Sequence, residues 1–160
     1  MKHILQNWKT YAFWILLAEA VGGLSGWLTR EGTEIYQQSV LQPSFAPPPA
    51  VFPIVWGILY ALMGIGAARV WASEHSAARS AGINVFIVQL VVNFFWSLIF
   101  FNLQAYGLAL LWLVLLWVLI LGMILLFFRA DPAAGLLQIP YLLWVTFAAV
   151  LNFAVWRLNG

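Results

Sequence analysis

The chain has 160 residues, of which 64% are hydrophobic and 8% charged, with a formal net charge of +2 and no cysteine. A soluble domain carries roughly a quarter charged residues, so this sequence lacks the polar surface to cover a globule and reads as a membrane protein. The small charge, with no basic patch interleaved with aromatics, excludes a nucleic-acid partner, and the absence of cysteine excludes disulfides, thiolate catalysis and Cys-ligated metal.

The first predicted span is 11–29. A short basic start precedes it, as in a signal peptide. The apolar stretch nevertheless runs on for a full span, holds Glu19 in its middle and lacks a small-x-small cleavage site, so it is expected to be a retained helix. Gly22 and Gly26 form a G-x-x-x-G pair, which in an apolar helix marks close helix contact within the bundle or between protomers. Glu19 is the sole acid inside a span, and an intramembrane carboxylate is by default a functional candidate. One reading of it is a proton-coupled small-molecule exporter.

The first loop, 30–50, is the only one long enough to hold structure of its own. It opens polar, with Arg30, Glu31, Glu34, Gln37 and Gln38, and ends in a proline-rich segment, Pro43 to Pro53. Proline fixes φ and restricts the preceding residue, so Ala46-Pro47-Pro48-Pro49 should form an extended strap lying over the helix ends as a lid. The second span, 51–71, carries Phe52, Trp56, Tyr60 and Met63 on one face and the small residues Gly57, Ala61, Gly64 and Ala68 on another, where a neighbouring helix packs closely.

No charge interrupts Ser80 to Phe128, a run that must cross the bilayer twice, with its break at Asn102-Leu103-Gln104-Ala105. This gives spans at 81–102 and 106–128. The third span presents Gln89, Asn93 and Trp96 on one face. After Asp131-Pro132, a helix-start signal, the fifth span at 135–157 presents Tyr141, Trp144, Ala148 and Asn152. Amides in hydrocarbon are costly unless paired, so both faces should look into the bundle; interhelical glue is the plain reading of Gln89, Asn93 and Asn152. At 1.5 Å rise per residue, Trp56 and Asn152 lie about 8 Å below the first-loop end, Asn93 about 13 Å and Trp144 about 20 Å. That clustering predicts a pocket under the first loop, floored near Trp144, suited to a large planar apolar ligand held by stacking and a few hydrogen bonds.

The expected fold class is therefore all-α, a single integral-membrane bundle of five transmembrane helices over residues 1–160. The N-terminal side collects Lys2, Lys9, Arg69, Arg79 and Arg129 and the opposite side only Arg30 and Arg157, which predicts a cytoplasmic N-terminus and a first loop on the far side. Of ten Trp, Trp8, Trp27, Trp71 and Trp156 fit an interfacial belt, and Trp112 and Trp117 are assigned to the lipid face. His3 and His75 lie in a tail and a loop without partners at metal-ligand spacing, and no nucleophile elbow, phosphate loop or paired in-membrane carboxylates occur.

Three blocks carry a resemblance: "PP-x-x-VFP-x-VW-x-x-LY-x-x-MG" from Pro47 to Gly64, "QL-x-x-N-x-x-W-x-x-x-FF" from Gln89 to Phe101, and "PYL-x-W-x-x-FA-x-x-LN" from Pro140 to Asn152. Together, in this order and over essentially the whole chain, they resemble the TspO/translocator protein family, the tryptophan-rich sensory proteins also called peripheral benzodiazepine receptors. The resemblance implies a five-helix bundle, commonly a homodimer, in a bacterial cell membrane. It implies a receptor, sensor or carrier that requires no cofactor and binds porphyrin-type, haem-pathway tetrapyrroles and benzodiazepine-like ligands. Carried over by motif, the family's pocket points to Pro47, Pro48, Trp56, Asn93, Trp144, Ala148 and Leu151; Phe52, Trp96, Tyr141 and Asn152 join them as candidate ligand-binding residues from the faces read above. Light-dependent porphyrin degradation is the alternative the resemblance implies, with Trp56 and Trp144 as the residues at work. Departures from the family pattern fall at Phe45, where Trp is usual, at Ala50, often aromatic, and at Leu108, where animal members have a pocket Trp. Phe153 replaces the Tyr of the proposed cholesterol motif, which argues against cholesterol binding here.

Overall fold

A computed structural model describes residues 7–160 and contains helices α1 (Trp8–Leu28), α2 (Arg30–Ser39), α3 (Val51–Trp71), α4 (Ala77–Ser97), α5 (Tyr106–Ala130), α6 (Pro132–Leu136) and α7 (Ile139–Asn159). Lys2 and His3 lie outside the described residues. Among those described, five helical stretches are long and apolar enough to cross a membrane: 8–28, 51–71, 77–102, 106–130 and 132–159. The expected all-α bundle of five spans is the observed architecture, with end points shifted by a few residues.

Helix starts follow local chemistry. Ser76 accepts the Arg79 backbone N–H at 3.1 Å to open α4, and Asp131 accepts from the backbone N–H groups of Ala133 and Ala134 at 3.0 and 3.4 Å to open α6, with Pro132 in its first turn. Asp131 also faces the Arg69 Nε at 3.2 Å, tying α3 to the α5–α6 corner. The predicted break at 102–105 is real and has a mechanism. The end of α4 widens into a π-helical turn, Leu98–Asn102, and Gln104 adopts a left-handed φ of 53° before α5 begins.

Close approach is set by small residues. Gly64 faces the α1 backbone at Ile15, where an added Cβ would meet the Ile15 amide nitrogen at 2.6 Å; the small stripe of α3 therefore does contact a neighbouring helix at this point. Gly22 on α1 lies against the Tyr60 ring, while Gly26 has nothing within 4 Å. Both Gly22 and Gly26 border the interior cavity. Around these contacts Met63, Phe86, Leu113, Ile120, Phe127, Tyr141 and Val145 are fully buried.

One expectation for the first loop is corrected. Residues 30–39 are helical: Gly32 and Tyr36, one turn apart, are buried while Glu31, Glu34, Gln37 and Gln38 stay exposed. The buried pair docks on the π turn, with Gly32 close to the Phe101 carbonyl and Tyr36 5.3 and 5.4 Å from the rings of Phe100 and Phe101. The proline segment borders the cavity through Pro47 and Pro49 and is anchored on α7. Leu41 exchanges two hydrogen bonds with the Asn159 side chain, at 3.1 and 2.8 Å, whereas Phe45 reaches Phe147 at 6.4 Å between ring centroids. Asn159 and Phe147 are about 18 Å apart along a helix axis, so the strap runs beside α7 as it closes over the cavity together with α2. The helix α2 is the cap.

Trp112 and Trp117 do not simply face lipid. Their indole N–H groups donate to the Val92 carbonyl at 2.7 Å and the Thr146 hydroxyl at 2.9 Å, so each is an interhelical fastener on α5. An indole can present an apolar body to lipid and a polar edge to its neighbour.

Candidate functional site

Under α2 and the strap lies a cavity of about 610 Å³, within the range of small-molecule sites. Its aromatic wall comes from α3 and α7. Trp56 and Trp144 meet edge to face at 6.5 Å, Phe52 meets Trp144 at 5.9 Å, and Trp56 stacks on Tyr60 at 5.6 Å with 29° between planes. The helical spacing of Phe52, Trp56 and Tyr60 puts these rings on one face of α3. Trp144 is opposite Phe52, at the start of α3, so it is a wall residue beside Trp56 and not the deep floor expected from counting residues back from the end of α7. The count fails because α7 extends beyond the first turn of α3, as the long run of the strap beside α7 requires.

Behind Trp56 runs a closed polar chain. The Tyr60 hydroxyl donates to Asn93 Oδ1 at 2.6 Å, Asn93 Nδ2 donates to the Tyr141 hydroxyl at 2.7 Å, and that hydroxyl donates to Gln89 Oε1 at 2.7 Å. A second link joins α4, α7 and α5: Trp96 Nε1 donates to Asn152 Oδ1 at 3.2 Å, and Asn152 Nδ2 donates to the Tyr106 carbonyl at 2.9 Å. The glue reading of Gln89, Asn93 and Asn152 describes these contacts.

The candidate residues therefore divide. Pro47, Phe52, Trp56, Trp96, Trp144, Ala148, Leu151 and Asn152 border the cavity; Pro48, Asn93 and Tyr141 do not. Tyr141 is fully buried and Asn93 nearly so, each enclosed by its own hydrogen-bond partners, and Pro48 belongs to the strap without facing inward. Sequence reasoning missed the contribution of α1 and α2: Glu19, Gly22, Gly23, Ser25, Gly26 and Thr29 from α1, with Arg30, Thr33, Tyr36 and Gln37 from α2, also line the space. The signal was the pair Gly23 and Gly26, which meet nothing within 4 Å and leave room instead of filling it.

Two polar atoms of lining residues are enclosed without a hydrogen-bond partner. The Trp144 indole N–H is buried without a partner, and so is Glu19 Oε1. Arg30, at the α2 end, stacks over the Trp27 ring at 4.4 Å and donates to the Trp27 carbonyl at 2.7 Å. Burial pushes the Tyr36 hydroxyl up to about 12, with Tyr106 adding to the effect, so the cap is neutral where it touches the aromatic cluster.

Five membrane-length helices around an aromatic cavity, closed by an interhelical cap and strap, define an integral-membrane helical bundle with an internal chamber. The model of the TspO/MBR family matches residues 14–157, and the chain belongs to that family. It is 41% identical to "Protein CrtK" of Rhodobacter capsulatus, covering 89% of each chain. To a "Tryptophan-rich protein TspO" of Chlorobaculum tepidum it is 38% identical over 94% of this chain and 96% of that one. The "Translocator protein" of Sus scrofa is 32% identical, over 89% of this chain and 86% of its own.

Proposed function

We propose that the protein is a membrane receptor, sensor or carrier that holds a porphyrin-type tetrapyrrole in this cavity. The observation that carries the reading is the aromatic wall of Phe52, Trp56 and Trp144, combined with an indole N–H on Trp144 that has no partner within the protein. Flat rings at right angles offer both a stacking face and an edge to a planar apolar macrocycle. The free N–H supplies one directional contact to an acceptor on its rim, and an unpaired buried donor is costly enough to favour such a contact. The Asn152 amide borders the cavity with both ends engaged, and the Asn93 amide lies behind the wall, engaged with Tyr60 and Tyr141. In this reading the N-terminus is cytoplasmic and the native unit is a homodimer, as the family resemblance implies.

Protoporphyrin IX titrated into the purified protein in the dark should quench tryptophan fluorescence saturably, and Trp56→Leu should weaken the affinity about tenfold by removing the stacking face. Absence of saturable quenching by the wild type overturns the proposal. Illumination of the same samples separates binding from chemistry: bleaching of the pigment that is lost in Trp56→Phe or Trp144→Phe indicates degradation, and a stable pigment indicates a receptor or carrier.

A further inference from the structure

Glu19 stands out once the cavity is drawn. It sits near the middle of α1, about 14 Å below the Leu28 end of that helix, and it borders the same space as Trp56 and Trp144. Its Oε1 is enclosed and accepts no hydrogen bond. The Tyr60 hydroxyl, whose ring lies against α1 at Gly22, is engaged with Asn93. Among the described residues lining the cavity Glu19 is the only acid and Arg30 the only base; Arg30 is eleven residues away along the chain, about 16 Å at helical rise, and is engaged with Trp27. Arg69, the basic residue of α3, is paired with Asp131. A carboxyl group at this depth without an internal donor is expensive, and Gly23 and Gly26, which meet nothing within 4 Å, leave room on the same helix within the cavity.

We propose that Glu19 is a specificity-determining residue that accepts a charge-assisted hydrogen bond from a protonated nitrogen on a planar aromatic occupant. The ligand class this adds is a flat aromatic amine or amidine, one face against Trp56 and its cationic nitrogen toward α1. The proposal uses the same cavity as the tetrapyrrole reading but a different wall, so the two can fail separately.

The test uses 9-aminoacridine, cationic at neutral pH, and acridine, neutral there and nearly the same shape. Each is titrated calorimetrically into the full chain in detergent, with empty micelles as the blank. The wild type should bind 9-aminoacridine about tenfold more tightly than acridine. Glu19→Gln should abolish that preference by weakening the cationic probe alone, and Glu19→Asp should retain part of it. Equal affinities in the wild type, no binding of either probe, or an equal loss of both in Glu19→Gln overturns the proposal. Protoporphyrin IX run in parallel keeps the readings apart: normal porphyrin binding without amine preference removes only the role of Glu19, and amine preference without porphyrin binding removes only the tetrapyrrole.

Discussion

Tyr141 shows how single residues hold this bundle together. Its hydroxyl both accepts from Asn93 and donates to Gln89, so Tyr141→Phe leaves an amide hydrogen and an amide oxygen unpaired at full burial. Association of helices in lipid depends on packing and on such contacts more than on the hydrophobic effect. Thermal unfolding in detergent should show Tyr141→Phe destabilised by about 1–3 kcal/mol and Tyr60→Phe, which loses one bond at the end of the chain, by less. Equal effects would contradict the central place given to Tyr141 in the chain. Tyr36 makes a different prediction. Its folded pKa of about 12 lies above the usual tyrosine value of about 10, so its burial favours the neutral form. The contribution of the docked α2 should be complete below pH 10 and disappear as pH rises through the folded value. Tyrosinate absorbance, followed alongside proteolysis of the first loop, should show loop release only in that upper window.

At the scale of elements, glycines separate into those that are packed and those that leave space. Gly64→Ala forces a methyl group into the α1 backbone at Ile15 and should cost about 1–3 kcal/mol. Gly23→Ala meets nothing within 4 Å and should leave stability within about 1 kcal/mol of the wild type, by the same thermal measurement. Sequence could not distinguish these, because a small residue signals proximity whether the neighbour is a helix or a ligand. The five spans were legible because long uncharged runs are a physical requirement of the bilayer, and the aromatic face of α3 followed from helical spacing. The cap α2 was hidden: with only Gly32 and Tyr36 buried in ten residues, its apolar face is too narrow to announce itself among charged neighbours. The level of Trp144 was misjudged for a related reason, since rise per residue fixes depth within one helix and says nothing about how far one helix projects past another. The idle donor on Trp144 and the unpaired Glu19 oxygen were equally invisible, because which polar groups lack partners depends on the assembled set of neighbours.

For the whole molecule, stability and function occupy different layers. The lower layer, from Arg69 and Asp131 up to the Tyr60–Asn93–Tyr141–Gln89 chain, is closely packed. The upper layer is kept open by small residues on α1, walled by Phe52, Trp56 and Trp144, and closed by α2 and the strap. The central claim is that this open layer is the binding site for a planar ligand. Gly57 offers the most direct test, because it lines the cavity and a side chain added there meets no atom within 4 Å at its Cβ. Gly57→Phe should therefore fill the chamber without disturbing the core. Titration of protoporphyrin IX against the wild type and Gly57→Phe, with melting temperature recorded for both, decides the matter. The account predicts comparable melting temperatures in the absence of ligand and an affinity at least about tenfold weaker in the filled variant; unchanged affinity in a folded Gly57→Phe protein would contradict it.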